Sequence, residues 1–294
     1  MEREVEEYIT YIENHGRKSE NTLLSYRRDL KKLVIFLTDK GLTEWNQVTE
    51  TDLTAYIMQI QREGCAQTTI SRYIVSIKAF FEYLYKNEII SDEAAVNLKA
   101  PRIDKKIPGV ISVEHVVRLL TAPDGDTPKL LRDKAMLELL YATGIKVSEL
   151  VSIRMEDVNL QMGYINCETV AHDRIIPFGK EAKQALIRYL KDGRDKLVKD
   201  NYSEYLFTNV NGGQMSRQGF WKLIKAYAKK AEIEEDITPY TLRHSFAAHM
   251  ISNGADIYAV SEMLGHTDIS ATQVYAVFSN SRLRDVYTKA HPRG

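Results

Sequence analysis

The chain has 294 residues, long enough for two domains or one large one, with 44% hydrophobic and 27% charged residues, the balance of an ordinary globular protein. No apolar run approaches a membrane span, and the acidic start MEREVEEYI lacks the charged-then-apolar order of a signal peptide. Cys65 and Cys167 stand apart from any metal or disulfide pattern, so a reducing, cytoplasmic setting fits; lysine plus arginine equals aspartate plus glutamate at 40 each, which by itself points away from nucleic acid.

Residues 1 to 90 read as four helices. The first puts Val5, Tyr8, Ile9 and Ile12 on one face, and the second Leu23, Tyr26, Leu30, Leu33, Val34 and Leu37. The third carries Leu53, Tyr56, Ile57 and Ile60, and the fourth Ile70, Tyr73, Ile74, Ile77, Phe81 and Leu84. Each stripe is one helix face wide, the pattern of a small bundle, with Gly16, Gly41 and Gly64 in the breaks. Off the second stripe lie Arg27, Arg28, Lys31 and Lys32, and the fourth helix opens with Thr68, Thr69 and Arg72. Basic side chains and short hydroxyls at a helix N-terminus suit phosphate contacts as well as a solvated face.

Residues 91 to 112 hold two prolines, a glycine and a run of charges that includes Arg102, Lys105 and Lys106. That composition predicts a linker between a domain at 1–90 and a second at 113–294. Helices follow at 113–121 and 128–143; Gly144 ends the latter, and a new helix starts near Lys146. GYINCE and RIIPFG alternate as two strands of a hairpin, with TVAHD as the turn. A helix is expected at 180–199, a short strand near 206–208 and a further helix at 216–231. The fold class is therefore mainly α with a small antiparallel sheet.

The stretch 238–278 divides into three short helices. The first opens on Thr238-Pro239 and carries Leu242, Phe246, Ala247, Met250 and Ile251. Ile257, Val260 and Leu264 mark the second, which stops at Gly265. For the third, Ser270 and Gln273 read as a capping box, with Ile269 and Val274 as its hydrophobic staple and Tyr275 in the second turn. Arg243, His266 and Tyr275 thus sit on separate rigid pieces able to converge on one small target.

LRHSFAAHM, the LGH, and the tyrosine nine residues after that histidine resemble, in this order, the C-terminal signature of the tyrosine recombinases. The closing SRLRDVYTKAHPRG is similar to the tail of their Xer branch. The resemblance covers nearly the whole chain, and its specificity lies in the order and spacing of motifs that are individually modest. It implies a C-shaped two-domain clamp on duplex DNA, with an N-terminal SAM-like helical domain that binds the core site. Arg27, Arg28, Lys31, Lys32, Thr68, Thr69, Arg72 and the linker residues Arg102, Lys105 and Lys106 are then expected along the DNA backbone. It further implies a metal-free, cofactor-free reaction through a 3′-phosphotyrosyl link. Tyr275 would be the nucleophile, Arg243 the phosphate clamp, and His266 a phosphate donor or proton acceptor. Four protomers would act on paired sites, as a homo- or hetero-tetramer with a Xer-like partner and with a septal DNA translocase, in chromosome partition.

Three positions of the family pattern differ. Lys146 stands where A-T-G-x-R-x-S-E-L has its arginine, keeping the charge but losing the two-pronged geometry. The hairpin turn lacks the family's lysine, and His172 is the nearby substitute. Tyr240 takes the histidine position of H-x-x-R. Uncompensated, such losses reduce cleavage by roughly 10³–10⁶. Two readings stay open: an active site-specific recombinase, or a DNA-binding relative with impaired cleavage that serves as partner subunit or site-occupying factor.

Overall fold

The computed structural model describes residues 1–15, 19–102, 108–168, 173–198, 202–266 and 268–279. Lys105, Lys106, His172 with its hairpin turn, and the closing tail lie outside the described residues. The chain divides into two compact units, Met1–Lys105 and Lys106–Gly294.

The first unit holds α1 (Glu2–His15), α2 (Glu20–Asp39), α3 (Glu50–Arg62) and α4 (Gln67–Lys86). Their apolar stripes meet in one core that the helical periodicity anticipates almost residue for residue. Local chemistry sets the starts: the Ser19 hydroxyl accepts from the Thr22 N–H, and Thr49 and Asp52 form a reciprocal capping box. Gly41 and Gly64 adopt left-handed φ values of 83° and 80°, which end α2 and α3 cheaply. A 3₁₀ turn at Trp45–Gln47, which the sequence reading missed, drives Trp45 edge-on against Phe80 at 4.8 Å and Phe81 at 5.7 Å. The core continues beyond residue 90, through Ala95 and Leu98, into the stretch expected to be linker.

The second unit begins with α5 (Val113–Thr121), α6 (Pro128–Thr143) and α7 (Val147–Ser152). A three-stranded antiparallel sheet follows, β1 (Val158–Asn159), β2 (Tyr164–Cys167) and β3 (Arg174–Pro177), in the order β1-β2-β3. Ile165 pairs with Ile176 and Cys167 with Arg174, so the alternation turns Ile165, Cys167, Arg174 and Ile176 inward. Burial pushes the Cys167 thiol up to about 12, which keeps it an inert core group.

The remaining helices are α8 (Lys180–Tyr189), α9 (Asp195–Val198), α10 (Arg217–Lys230), α11 (Pro239–Ser252), α12 (Ile257–Leu264) and α13 (Ser270–Gln273), with a 3₁₀ segment at Val274–Ser279. The helix expected over 180–199 is interrupted by a π turn at Leu190–Arg194 between α8 and α9. The short strand expected at 206–208 does not form. That segment makes only isolated bridges, Arg154 with Tyr205 and Thr208 with Gln214, and Arg194 takes the Ser203, Tyr205 and Leu206 carbonyls. α6 is buried nearly all round, and its polar pair is satisfied internally. Arg132 binds the Asp133 carboxylate and the Thr208 carbonyl, while the Tyr227 hydroxyl donates to Asp133 at 2.8 Å.

The expected capping box at Ser270 is also corrected. α13 is a single turn whose start is tied by Asp268, which accepts from the Ser270 N–H at 2.8 Å and from its hydroxyl at 2.5 Å. A carboxylate two residues upstream captures the serine, so Ser270 cannot itself act as the cap. Tyr275 consequently sits in the 3₁₀ segment rather than in a longer α-helix.

Candidate active site

Three junctions of the second unit build the site. At the first, α6 ends on Gly144, left-handed at φ 63°, and Lys146 precedes α7. The second is the end of α12, where left-handed Gly265 turns the chain into His266. The third is α11, opened by Thr238 with Pro239 at its first turn, which carries Arg243 in its interior. α11 and α12 share a small apolar cluster, Phe246, Ala247, Ile251, Val260 and Leu264, that also takes in the Tyr275 ring.

Arg243 is only 5% exposed. Its guanidinium ties the junctions together: Nη1 donates to the Gly144 carbonyl at 2.6 Å, and Nη2 to the Leu264 carbonyl at 2.8 Å. Nη2 also meets His266 Nε2 at 3.1 Å. Arginine has only donors, so this ring nitrogen accepts; the proton resides on Nδ1, which donates to the Thr272 hydroxyl at 2.7 Å. Burial, then the charges of Arg243, Lys146 and Arg174, lower the His266 pKa to about 4 and keep the imidazole neutral. Three cations from three different elements therefore act on one ring. The guanidinium keeps two N–H groups without a partner among the described residues.

Lys146 is exposed, and its ammonium makes no hydrogen bond to a described residue; its backbone N–H donates to Glu149 at 2.7 Å. Glu149 accepts in turn from Arg174 at 2.8 Å, and Arg174 also donates to the Met263 carbonyl at 3.1 Å. This pair joins the start of α7 to β3 and to the end of α12. Gly265 has no side chain for the same reason: a Cβ there would lie 2.6 Å from an Arg174 nitrogen.

Tyr275 is 2% exposed, and its hydroxyl is hydrogen-bonded to His244 Nδ1. Burial raises the phenol above its ordinary value, opposed by Arg243. The structure thus brings Arg243, His266 and Lys146 around one point, with Tyr275 on the adjoining turn. Tyr240, 62% exposed in the first turn of α11, makes no hydrogen bond to any described residue. Sequence reasoning missed His244, Glu149 and Arg174. The only available signals were the Arg-His adjacency and the polar residues at the ends of apolar segments.

In the first unit the basic residues expected along DNA are partly engaged. Arg27 and Lys31 share Glu6 at 3.0 Å each. Arg72 places Nη1 2.7 Å from both oxygens of the fully buried Asp29, which ties α4 to α2. Arg28 and Lys32 are exposed, the latter's ammonium 5.9 Å from the Tyr73 ring centre. Thr68 and Thr69 lie in the first turn of α4, whose N-cap, Ala66, supplies no side-chain cap. Arg102 is exposed. Among the described residues no helix is long and apolar enough to cross a membrane.

The comparisons with known proteins agree along the whole chain. The phage integrase family model matches residues 110–282, and that of the phage integrase N-terminal SAM-like domain matches residues 5–88. Tyrosine recombinase XerD of Oceanobacillus iheyensis is 41% identical over 296 residues, covering 100% of this chain and 99% of that protein. Its counterpart from Halalkalibacterium halodurans is 42% identical over 277 residues, with 94% and 93% covered. Among solved structures, XerA recombinase is similar with 28% identity and a TM-score of 0.56, covering 99% of both chains. The Tn1549 transposon integrase in complex with a circular intermediate DNA shares the fold, with a TM-score of 0.75 at 20% identity, over 96% of this chain and 99% of that one. Matched in both halves by family models and over its full length by such relatives, the chain belongs to the phage integrase family, as a site-specific tyrosine recombinase of the Xer type.

Proposed function

We propose that this chain binds duplex DNA and cuts and rejoins it through a 3′-phosphotyrosyl link to Tyr275. The observation that carries this reading is the convergence of Arg243, Lys146 and Arg174 on His266, beside the buried Tyr275 hydroxyl. Such a cluster, with one carboxylate in it, suits an anion, and the unpartnered N–H groups of Arg243 suit phosphate oxygens. A scissile phosphate seated there draws the guanidinium and the exposed Lys146 ammonium onto the charge that grows in the five-coordinate transition state. The same negative charge offsets the cations that hold His266 neutral, so the ring gains a proton on Nε2 and becomes a donor. Tyr275 attacks phosphorus, the 5′ oxygen leaves, and the bond energy is kept for religation.

Tyr275 is shielded in this form, so its engagement requires the short 274–279 turn to open to the DNA with the hydroxyl still against α11. The exposed Arg28, Lys32, Thr68 and Arg102 are assigned to backbone contacts, whereas Arg72 serves chiefly to bury Asp29. The outside-lying Lys105 and Lys106 belong with the backbone contacts, and His172 is assigned as the acid for the leaving oxygen; Tyr240 is free to donate to a phosphate. Assembly as four protomers on paired sites, with a Xer-like partner and a translocase, completes the reading. The division into an N-terminal DNA-binding domain and a C-terminal catalytic domain remains part of it, with the first domain's core reaching Leu98 rather than ending at residue 90.

The test is a nicked suicide substrate that traps the cleaved strand. Wild-type protein is expected to form a covalent protein–DNA adduct, and Tyr275→Phe to bind the same DNA without one. Tight binding by wild type with no adduct would favour the cleavage-deficient reading instead.

A further inference from the structure

The structure assigns one further catalytic residue: we infer that His244 takes the proton from the Tyr275 hydroxyl as it attacks. The inference rests on the reading of Tyr275 as the nucleophile. His244 follows Arg243 in α11, a step of about 100° around the helix, so the two side chains leave in different directions. Arg243 reaches the ends of α6 and α12, whereas His244 turns to the 274–279 segment and meets the Tyr275 oxygen through Nδ1. The two rings are 5.8 Å apart and inclined at 42°.

The direction of this hydrogen bond follows from the inventory of partners. No other described residue hydrogen-bonds the buried phenol, and a buried O–H that did not donate would be left unsatisfied. Tyr275 therefore donates, and Nδ1 of a neutral imidazole accepts, with its own proton on Nε2. Nε2 makes no hydrogen bond to a described residue, and the ring is only half-buried, which leaves that N–H to water.

The competing bases are occupied or elsewhere. His266 spends Nε2 on Arg243 and Nδ1 on Thr272. Tyr240 and Lys146 are exposed, and neither side chain hydrogen-bonds the Tyr275 oxygen. Among the described residues His244 is thus the one base in contact with the reacting oxygen. Burial, and then the charge of Arg243, hold it below its ordinary pKa, which keeps it in the accepting form near neutrality.

The Tyr275 O–H bond breaks, its electron pair forms the new bond to phosphorus, and the proton moves to Nδ1, giving an imidazolium. The bond from phosphorus to the 5′ oxygen breaks, and that oxygen takes a proton from the leaving-group acid of the proposed function. On religation a 5′ hydroxyl attacks the phosphotyrosine, and the imidazolium returns its proton to the departing phenolate.

His244→Asn is the discriminating variant, because its amide oxygen accepts a hydrogen bond near the position of Nδ1 but takes no proton. Single-turnover adduct formation on a nicked suicide duplex is measured across pH for wild type, His244→Asn and Tyr275→Phe, with DNA affinity and thermal unfolding alongside. His244 is surrounded by Arg243 of its own helix, Tyr275 of the facing turn and His266 after α12. Wild type is expected to slow as pH falls through the depressed His244 pKa. His244→Asn should lose that limb and about 10²–10⁴ in rate, with affinity and unfolding unchanged. Wild-type speed in the asparagine variant, or a faster rate from freeing Tyr275, overturns the inference. Should the variant unfold, a wild-type profile flat across the histidine range does the same. An adduct formed by Tyr275→Phe would instead remove the nucleophile reading on which the inference stands.

Discussion

Arg174→Met tests how the site is held together. The Arg174 and Glu149 side chains are 7% and 11% exposed, and Nη2 lies 2.8 Å from the carboxylate. Methionine fills much of the space but leaves Glu149 with only the Lys146 N–H, and the Met263 carbonyl without its donor. Removing one partner of a buried pair costs about 3–5 kcal/mol, because the other charge stays buried and uncompensated. In a unit of this size each kcal/mol moves the midpoint by about 2–4 °C, so a fall of roughly 6–20 °C is expected. Urea unfolding followed by circular dichroism measures the loss, and Arg174→Met with Glu149→Leu provides the control. The double variant should recover most of the stability, since two apolar side chains replace two charges. Its cleavage should stay low, because Lys146 has lost the acceptor that anchors it. A single-variant loss under about 1 kcal/mol would mean the pair is solvated and refute this reasoning.

Further outcomes follow from the same geometry. Lys146→Arg restores a fork beside His266 and should raise single-turnover cleavage about tenfold or more with little change in affinity, the worth of one charged hydrogen bond; a slower variant would show that lysine is the adapted residue. His266, His244 and His249 all have folded-state pKa values below the unfolded one, so the unfolded chain binds more protons as pH falls. Stability of the second unit should therefore be full above the ordinary histidine value and decline between about pH 6.5 and 4, as read by denaturant unfolding at each pH. Gly144→Ala forces a left-handed alanine and puts its Cβ 2.6 Å from Phe246 Cε1. A loss of about 2–5 kcal/mol is expected from strain plus overpacking, and adduct formation should fall as the carbonyl that holds Arg243 moves.

Most helices were legible because their signals are local. The stripes of α1 to α4, the ends of α5 and α6, and the turns at Gly144 and Gly265 follow from periodicity and capping within a few residues. The failures are competitions between neighbours. Ser270 carries a cap pattern, but Asp268 takes its N–H and hydroxyl. LFT at 206–208 has strand-like residues but finds no long partner, and Arg194 captures the Leu206 carbonyl while Arg132 takes that of Thr208. In the site, Arg243, His266 and Tyr275 could be named from their order. The bond from His244 to Tyr275 could not, since it spans 31 residues and depends on how the 274–279 turn packs on α11. The same holds for charge: a net of zero over the chain coexists with three cations acting on one histidine.

The central claim is that this site makes a tyrosine-linked DNA intermediate, and identifying the linkage tests it most directly. Adduct trapped on a nicked suicide duplex is digested with nuclease and protease, and the peptides are read by mass spectrometry. The account predicts a 3′-nucleotide phosphodiester on the peptide containing Tyr275, with a free 5′ hydroxyl on the released strand. Attachment to another residue, or cleavage that leaves no covalent protein, would contradict it.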